Sequence, residues 1–153
     1  MANTYTKLNI HIIFHVKSTG IPIRKEDLPQ VFKYISGIIQ HVGGYPIIVG
    51  GITNHIHLLA TMPKTMSVAD FVRFIKSNSS KWIKSVDSYY EVFSWQEGYG
   101  AFCVSPSLIK KTFHYIQTQA KHHEEESVID EYKRFLNANG IEYDECYLID
   151  RYI

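Results

Sequence analysis

Apolar and polar positions alternate over residues 7–17, where Leu8, Ile10, Ile12, Phe14 and Val16 interleave with Asn9, His11, Ile13 and His15. A period of two is that of a strand with one apolar and one partly polar face. Residues 18–27 read as a loop, and Pro29 then sits at a helix start, where its missing N–H costs nothing. Leu28, Val31, Phe32, Ile35, Ile38, Ile39 and Val42 follow at helical spacing, and Gly43-Gly44 ends that helix. Residues 45–52 and 55–62 read as two strands joined at Thr53-Asn54, a hairpin.

Ser67 is placed to cap a second helix, with Asp70 at the reciprocal capping position and Phe71, Val72, Ile75, Trp82 and Ile83 as its apolar stripe. Residues 87–99 are irregular and aromatic, and 100–104 form a short fourth strand. Ser105-Pro106 predicts a capped third helix running to about residue 123. The order β-α-β-β-α-β predicts an α+β, ferredoxin-like (RRM-like) antiparallel sheet with two helices on one face and the other face open. That third helix, which carries Tyr115, and an acidic, partly helical tail complete the chain.

A length of 153 residues, 45% hydrophobic and 20% charged, fits one globular domain with a real core. No apolar run reaches the roughly 20 residues of a membrane span. The N-terminus lacks the order of a secretory signal, and Cys103 and Cys146 form no CxxC, so the expected compartment is the cytoplasm. The net charge of +1 conceals an asymmetry: residues 1–123 carry 13 Lys+Arg against 6 Asp+Glu, and residues 124–153 carry 3 against 9. A basic body with an acidic tail is compatible with nucleic-acid binding, as a neutral average is not. The tail itself reads either as solvated or as folded back on the body.

His55 and His57 lie at i and i+2 of the third strand, so both imidazoles share one sheet face while Ile56 and Leu58 point to the helices. Two neutral imidazoles suit a divalent metal. An HxH alone is also what two half-buried histidines look like. His11 and His15 share the face and read as bystanders or as further polar lining. Tyr115 and Gln119 stack at i and i+4 on the third helix, beside an apolar stripe of Ile109, Phe113, Ile116 and Ala120. Taken alone, a packed tyrosine with a wet hydroxyl and a solvated glutamine are the better explanation of this pair. Arg73, Lys76, Lys81 and Lys84 on the second helix and Lys110, Lys111 and Lys121 on the third are candidate phosphate contacts around that site. Tyr89, Tyr90, Trp95 and Tyr99 are candidate base-stacking groups.

Together these segments resemble the HUH single-tyrosine transposases of the insertion-sequence-200/605 type. Asn54-His55-Ile56-His57-Leu58-Leu59 is similar to the family's (D/E/N)HxHLL strand. Asp70 to Lys76 with Ser79-Ser80 resembles the helix after it, Trp95 to Phe102 the W-x-x-G-Y-x-x-F stretch, and Tyr115-Ile116 with Gln119 the Y-I-x-x-Q motif. Asn54 stands where many members carry Asp, which removes a negative charge beside the metal. The resemblance implies that Tyr115 is the nucleophile, that His55, His57 and Gln119 hold Mg²⁺ or Mn²⁺, and that the substrate is single-stranded DNA beside a hairpin. It implies a 5′-phosphotyrosine intermediate, strand rejoining by a 3′-OH, and a homodimer in which the tyrosine helix can serve the partner's histidines in trans. Residues 1–123 would form the catalytic domain including the tyrosine helix, and 124–153 an acidic extension of the same domain, in a bacterial or archaeal cytoplasm. Two other readings compete. One is a non-catalytic or domesticated nucleic-acid-binding module on the same fold. The other is a metal hydrolase using HxH with water, weakened by the lack of an evident acidic ligand near the pair. Tyr132 is the reserve candidate for nucleophile.

Overall fold

The computed structural model describes residues 3–148. Four strands, β1 (Asn9–His15), β2 (Tyr45–Ile52), β3 (His55–Thr61) and β4 (Gly100–Cys103), form one sheet in the order β2-β3-β1-β4, with every neighbouring pair antiparallel. Helices α1 (Leu28–His41) and α2 (Val68–Val86) cover one face. This is the β-α-β-β-α-β architecture that the alternation and helical periodicity predict. The main core lies between that face and the two helices. Ile10, Ile12 and Phe14 of β1 and Ile56, Leu58 and Ala60 of β3 meet Val31, Ile35, Ile39, Phe71, Val72 and Ile75 there. Ser67 caps α2 as expected, its hydroxyl accepting from the Asp70 N–H at 3.1 Å.

The second sheet face is not open. The expected third helix is broken at Thr118 into α3 (Ile109–Gln117) and α4 (Gln119–His122), preceded by a 3-10 turn at Pro106–Leu108. Ser105 heads that turn rather than capping a helix, its hydroxyl 3.2 Å from that of Ser107. After α4 the tail folds back as α5 (Val128–Ala138), whose Ser127 hydroxyl caps it by accepting from the Asp130 N–H at 3.2 Å. Tyr132 and Leu136 of α5 build a second apolar cluster with Ile13, Phe102 and Leu148. Among the described residues, the acidic tail therefore packs through an apolar stripe and turns most of its charges outward, while Glu131 is buried.

Two glycines let the helices come this close. A Cβ on Gly50 of β2 would lie 2.8 Å from the Ile116 carbonyl oxygen of α3. A Cβ on Gly100 of β4 would lie 2.9 Å from the Tyr132 ring of α5. Both distances are too short for a real contact, so these strands are bare of side chains where α3 and α5 rest on them.

Candidate metal centre and nucleophile

Register brings the histidines together. His15 pairs with His55 and Ile13 with His57 across β1 and β3, so His11, His15, His55 and His57 line the second face, all of them buried. The cluster is completed from the other side. Gln119 of α4 places its side-chain oxygen 3.0 Å from His55 Nε2. His123, just past α4, brings Nε2 to 3.1 Å from the same oxygen. Glu131 of α5 sets Oε1 2.9 Å from His57 Nε2 and 3.3 Å from His55 Nε2, and Oε2 3.2 Å from His123 Nε2. One ligand atom each from His55, His57, His123 and Glu131 falls within 4.8 Å of all the others.

The outer nitrogens fix which atoms face inward. His55 Nδ1 lies 3.0 Å from the Asn54 side-chain oxygen and donates to it, which fixes Nε2 as the ring atom that faces the cluster. His123 Nδ1 donates to the Glu126 carbonyl at 2.8 Å, with the same consequence. His57 Nδ1 shares a 2.8 Å hydrogen bond with His11 Nε2. Three imidazoles thus converge through Nε2, each held by a partner on its far side, which is the orientation that metal-ligating histidines adopt. Without a cation, His123 Nε2 faces two oxygen acceptors, which favour its charged form. Burial opposes that charge, but the bond to Glu131 outweighs it and raises the pKa.

Burial also opposes ionisation of Glu131. Its hydrogen bonds with His123, His55 and His57 nevertheless hold the carboxyl well below the usual carboxylate range. Burial pushes His57 down to about 4, against the pull of Glu131. Burial and the neighbouring His55 push His15 down to about 3. His15 is anchored by Gln96, whose side-chain oxygen lies 2.8 Å from both its backbone nitrogen and Nδ1, while its buried Nε2 has no partner.

Tyr115 of α3 stands at the edge of this cluster. Its hydroxyl donates to Glu131 Oε2 and accepts from Arg134 Nη2 at 2.7 Å. Its ring stacks on His122 at 4.5 Å and lies edge-on to His57 at 5.9 Å. Burial and the Glu131 carboxylate push the phenol above the ordinary tyrosine range, with Arg134 pulling the other way. All of these groups lie within the described residues of a single chain.

The four residues that the sequence singled out, His55, His57, Tyr115 and Gln119, are brought together. Glu131, His123 and Arg134 were missed, and Glu131 corrects the expectation that no acidic group lies near the HxH. The available signal was a carboxylate at i−4 to Phe135 and next to Tyr132, on the apolar side of an otherwise charged helix. His11 is no bystander, because it orients His57. Asn54 keeps a structural role despite its lost charge.

The candidate DNA contacts divide. Arg73, Lys76, Lys81 and Lys84 belong to α2, on the sheet face away from the histidines, so they do not surround the site as expected. Arg73 pairs with Asp70 in its own helix. Lys76 donates to the backbone oxygens of Gln96 and Gly98 at 2.6 and 2.7 Å, and burial lowers its pKa to about 8. It braces the loop that anchors His15. Lys81 and Lys84 are exposed. Lys110, Lys111 and Lys121 are exposed on α3 and α4, beside the site, and Lys111 lines the same cavity as Tyr115. Among the aromatics, Trp95 and Tyr90 are core residues. Trp95 packs edge-on against Phe14 at 4.7 Å, so neither is free to stack on a base. Tyr132 is buried against Gly100 and His15, which removes it as a reserve nucleophile.

A ferredoxin-like sheet with paired histidines facing a tyrosine helix defines the class of HUH nucleic-acid enzymes that the sequence resembles. Comparison with family models gives a match to the family described as "Transposase IS200 like" over residues 4–119, and the chain belongs to that family. No curated protein matches it. Among solved structures, it is similar to a Deinococcus radiodurans R1 protein described as a transposase, with a TM-score of 0.60 and 19% identity over 78% of this chain and 95% of that one. It is also similar to a REP-associated tyrosine transposase bound to a REP hairpin, with a TM-score of 0.55 and 15% identity over 95% of this chain and 88% of that one. At these identities the likeness is one of fold. No helix among the described residues is long and apolar enough to cross a membrane.

Proposed function

We propose that the chain cleaves and rejoins single-stranded DNA through Tyr115, assisted by a divalent cation held by His55, His57 and Gln119 together with Glu131 and His123. The observation that carries this reading is the shared carboxylate: Glu131 touches both the Tyr115 hydroxyl and the converging Nε2 atoms. The donor set fits a cation, with preoriented lone pairs and one anionic oxygen. Imidazole nitrogens mixed with oxygens suit Mn²⁺ better than Mg²⁺, which prefers all-oxygen surroundings. When bound there, a divalent cation draws negative charge from a phosphate and eases departure of the 3′-oxygen.

The chain's own residues do the rest. Glu131 orients the Tyr115 hydroxyl, and α3, seated on Gly50, fixes its distance from β3. Attack by Tyr115 on the phosphodiester yields a 5′-phosphotyrosine and a free 3′-OH. The link conserves the phosphodiester energy, so a 3′-OH can reverse it and join strands. A hairpin beside the cleavage point is the proposed substrate feature, and the similar REP-associated tyrosine transposase bound to a REP hairpin supports it. Tyr115 faces the histidines of its own chain, which supports action in cis, and in a homodimer α3 would be free to serve the partner's histidines instead. A cytoplasmic location and a single domain, with 124–153 as part of it, complete the proposal.

Glu131 also favours a second reading, a metal hydrolase that activates water. The two separate on denaturing gels with end-labelled hairpin-bearing single strands and Mn²⁺. The tyrosine route gives a protein–DNA band that is lost in Tyr115→Phe, whereas the water route gives free product and no band. A non-catalytic binding module gives neither.

A further inference from the structure

Beside Tyr115 an open cavity of about 410 Å³ separates α3 from α5, lined by His11, Phe102, Lys111, Tyr115, Arg134 and Phe135 among others. Its volume is in the range of a nucleotide-sized ligand. Arg134 forms its polar wall. The guanidinium is braced by Glu126, with Nε 3.1 Å from Oε2 and Nη2 2.9 Å from Oε1, and it lies 5.0 Å from the centre of the Phe135 ring. Nη2 also donates to the Tyr115 hydroxyl at 2.7 Å. Among the described residues these three bonds use Nε and Nη2, so the two hydrogens of Nη1 remain for another acceptor. Lys111 stands on the α3 side of the same cavity.

A bidentate carboxylate brace is what holds an arginine in one geometry rather than letting it sweep solvent. Here the geometry aims a permanent cation at the oxygen that attacks. We propose that Arg134 is a catalytic residue, which stabilises negative charge on the Tyr115 oxygen and docks the scissile phosphate in the cavity opposite Lys111, with Glu126 as its positioning residue. This rests on Tyr115 being the nucleophile. In the step, the phenolic oxygen bonds to phosphorus and the phosphorus–O3′ bond breaks. The phenol passes its proton to Glu131 Oε2, which already accepts its hydrogen bond, and the departing 3′-oxygen takes up one proton from water. Arg134 stays protonated throughout and supplies charge alone. The acidic tail thus delivers a cation to the active site, which its composition conceals.

The test uses the full chain, Mn²⁺ and a labelled library of hairpin-bearing single strands with randomised flanks. Arg134→Gln should slow covalent attachment about 100-fold, as loss of a transition-state donor does, and weaken DNA binding less than about fivefold. Arg134→Lys should recover part of the rate, and Glu126→Gln should lose about tenfold by freeing the guanidinium. Arg134 has an exposed side chain at 49%, so these variants should melt with the wild type. A second measurement follows the ¹⁵N guanidinium signal of Arg134 in Tyr115→Phe protein as decathymidylate is added, and it should shift. Attachment by Arg134→Gln within twofold of wild type, or an Arg134 signal that stays in place, overturns the proposal. A wild-type chain that attaches to no strand overturns the reading of Tyr115, and the proposal falls with it.

Discussion

The Tyr115 hydroxyl donates a hydrogen bond to Glu131, sixteen residues further along the chain and on a different helix. The same carboxylate reaches His57 at 2.9 Å. The proposed nucleophile and the proposed metal ligands are therefore coupled through a residue of the tail.

Removing that link should show in metal affinity before it shows in folding. Glu131→Gln keeps the shape but removes the anionic ligand, and should weaken Mn²⁺ binding by about 10- to 100-fold by calorimetry. Far-UV circular dichroism should be unchanged, because α5 remains packed through Tyr132 and Leu136.

The outer partners of the histidines make a separate prediction. His11→Ala and Asn54→Ala each leave a ligand's far nitrogen unheld, and each should cost about tenfold in Mn²⁺ affinity. Asn54→Asp should do the reverse and tighten binding, since a carboxylate accepts more strongly from His55 Nδ1 than an amide does. Equal affinity in Asn54→Ala and wild type would show that this bond does not orient the ligand.

Gly100 tests the closure of the second face. Gly100→Val places side-chain atoms where the Tyr132 ring already lies 2.9 Å from a Cβ, so α5 must shift. The expected cost is about 1–3 kcal/mol in urea denaturation, with a parallel loss of Mn²⁺ affinity as Glu131 moves out of reach. Gly98→Ala, whose Cβ meets nothing closer than 3.7 Å, is the control.

Acid should unfold the cation-free protein early. His15 and His57 have folded pKa values lowered to about 3 and about 4, so below pH 6.5 the unfolded chain takes up protons that the native state refuses. Each then costs up to about 1.4 kcal/mol per pH unit, from pH 6.5 down to its folded pKa. Glu131, depressed in the fold, adds to the loss further down, while His123, raised, offsets a part. The melting temperature should fall steeply between pH 6.5 and pH 4, and Mn²⁺ should blunt the fall near neutrality. A flat profile across that range would contradict the buried neutral histidines.

The sheet was legible because β1 and β3 alternate with a period of two around their histidines, broken only by Ile13 and Leu59, and that alternation set the face of each histidine. Tyr115 and Gln119 were legible from helical spacing together with the resemblance. What escaped lies beyond residue 119, where the family match also stops. The run of Glu124, Glu125 and Glu126 hides Glu131, because a buried carboxylate and a solvated one look alike in composition. Only its partners, His57 on β3 and Tyr115 on α3, tell them apart, and these are tertiary contacts. The α2 cations misled for the mirror reason: closeness in sequence to the HxH strand placed them near the site, but the chain crosses to the other sheet face first.

The central claim, Tyr115 as the atom that takes the DNA, is tested most directly by mapping the covalent link. The wild-type chain is incubated with hairpin-bearing single strands and Mn²⁺, digested with trypsin and nuclease, and analysed by tandem mass spectrometry. The account predicts a nucleotide phosphate on Tyr115 in the peptide 112–121. A phosphate on Tyr132 in the peptide 122–133, or cleaved DNA with no modified tyrosine at all, would contradict it.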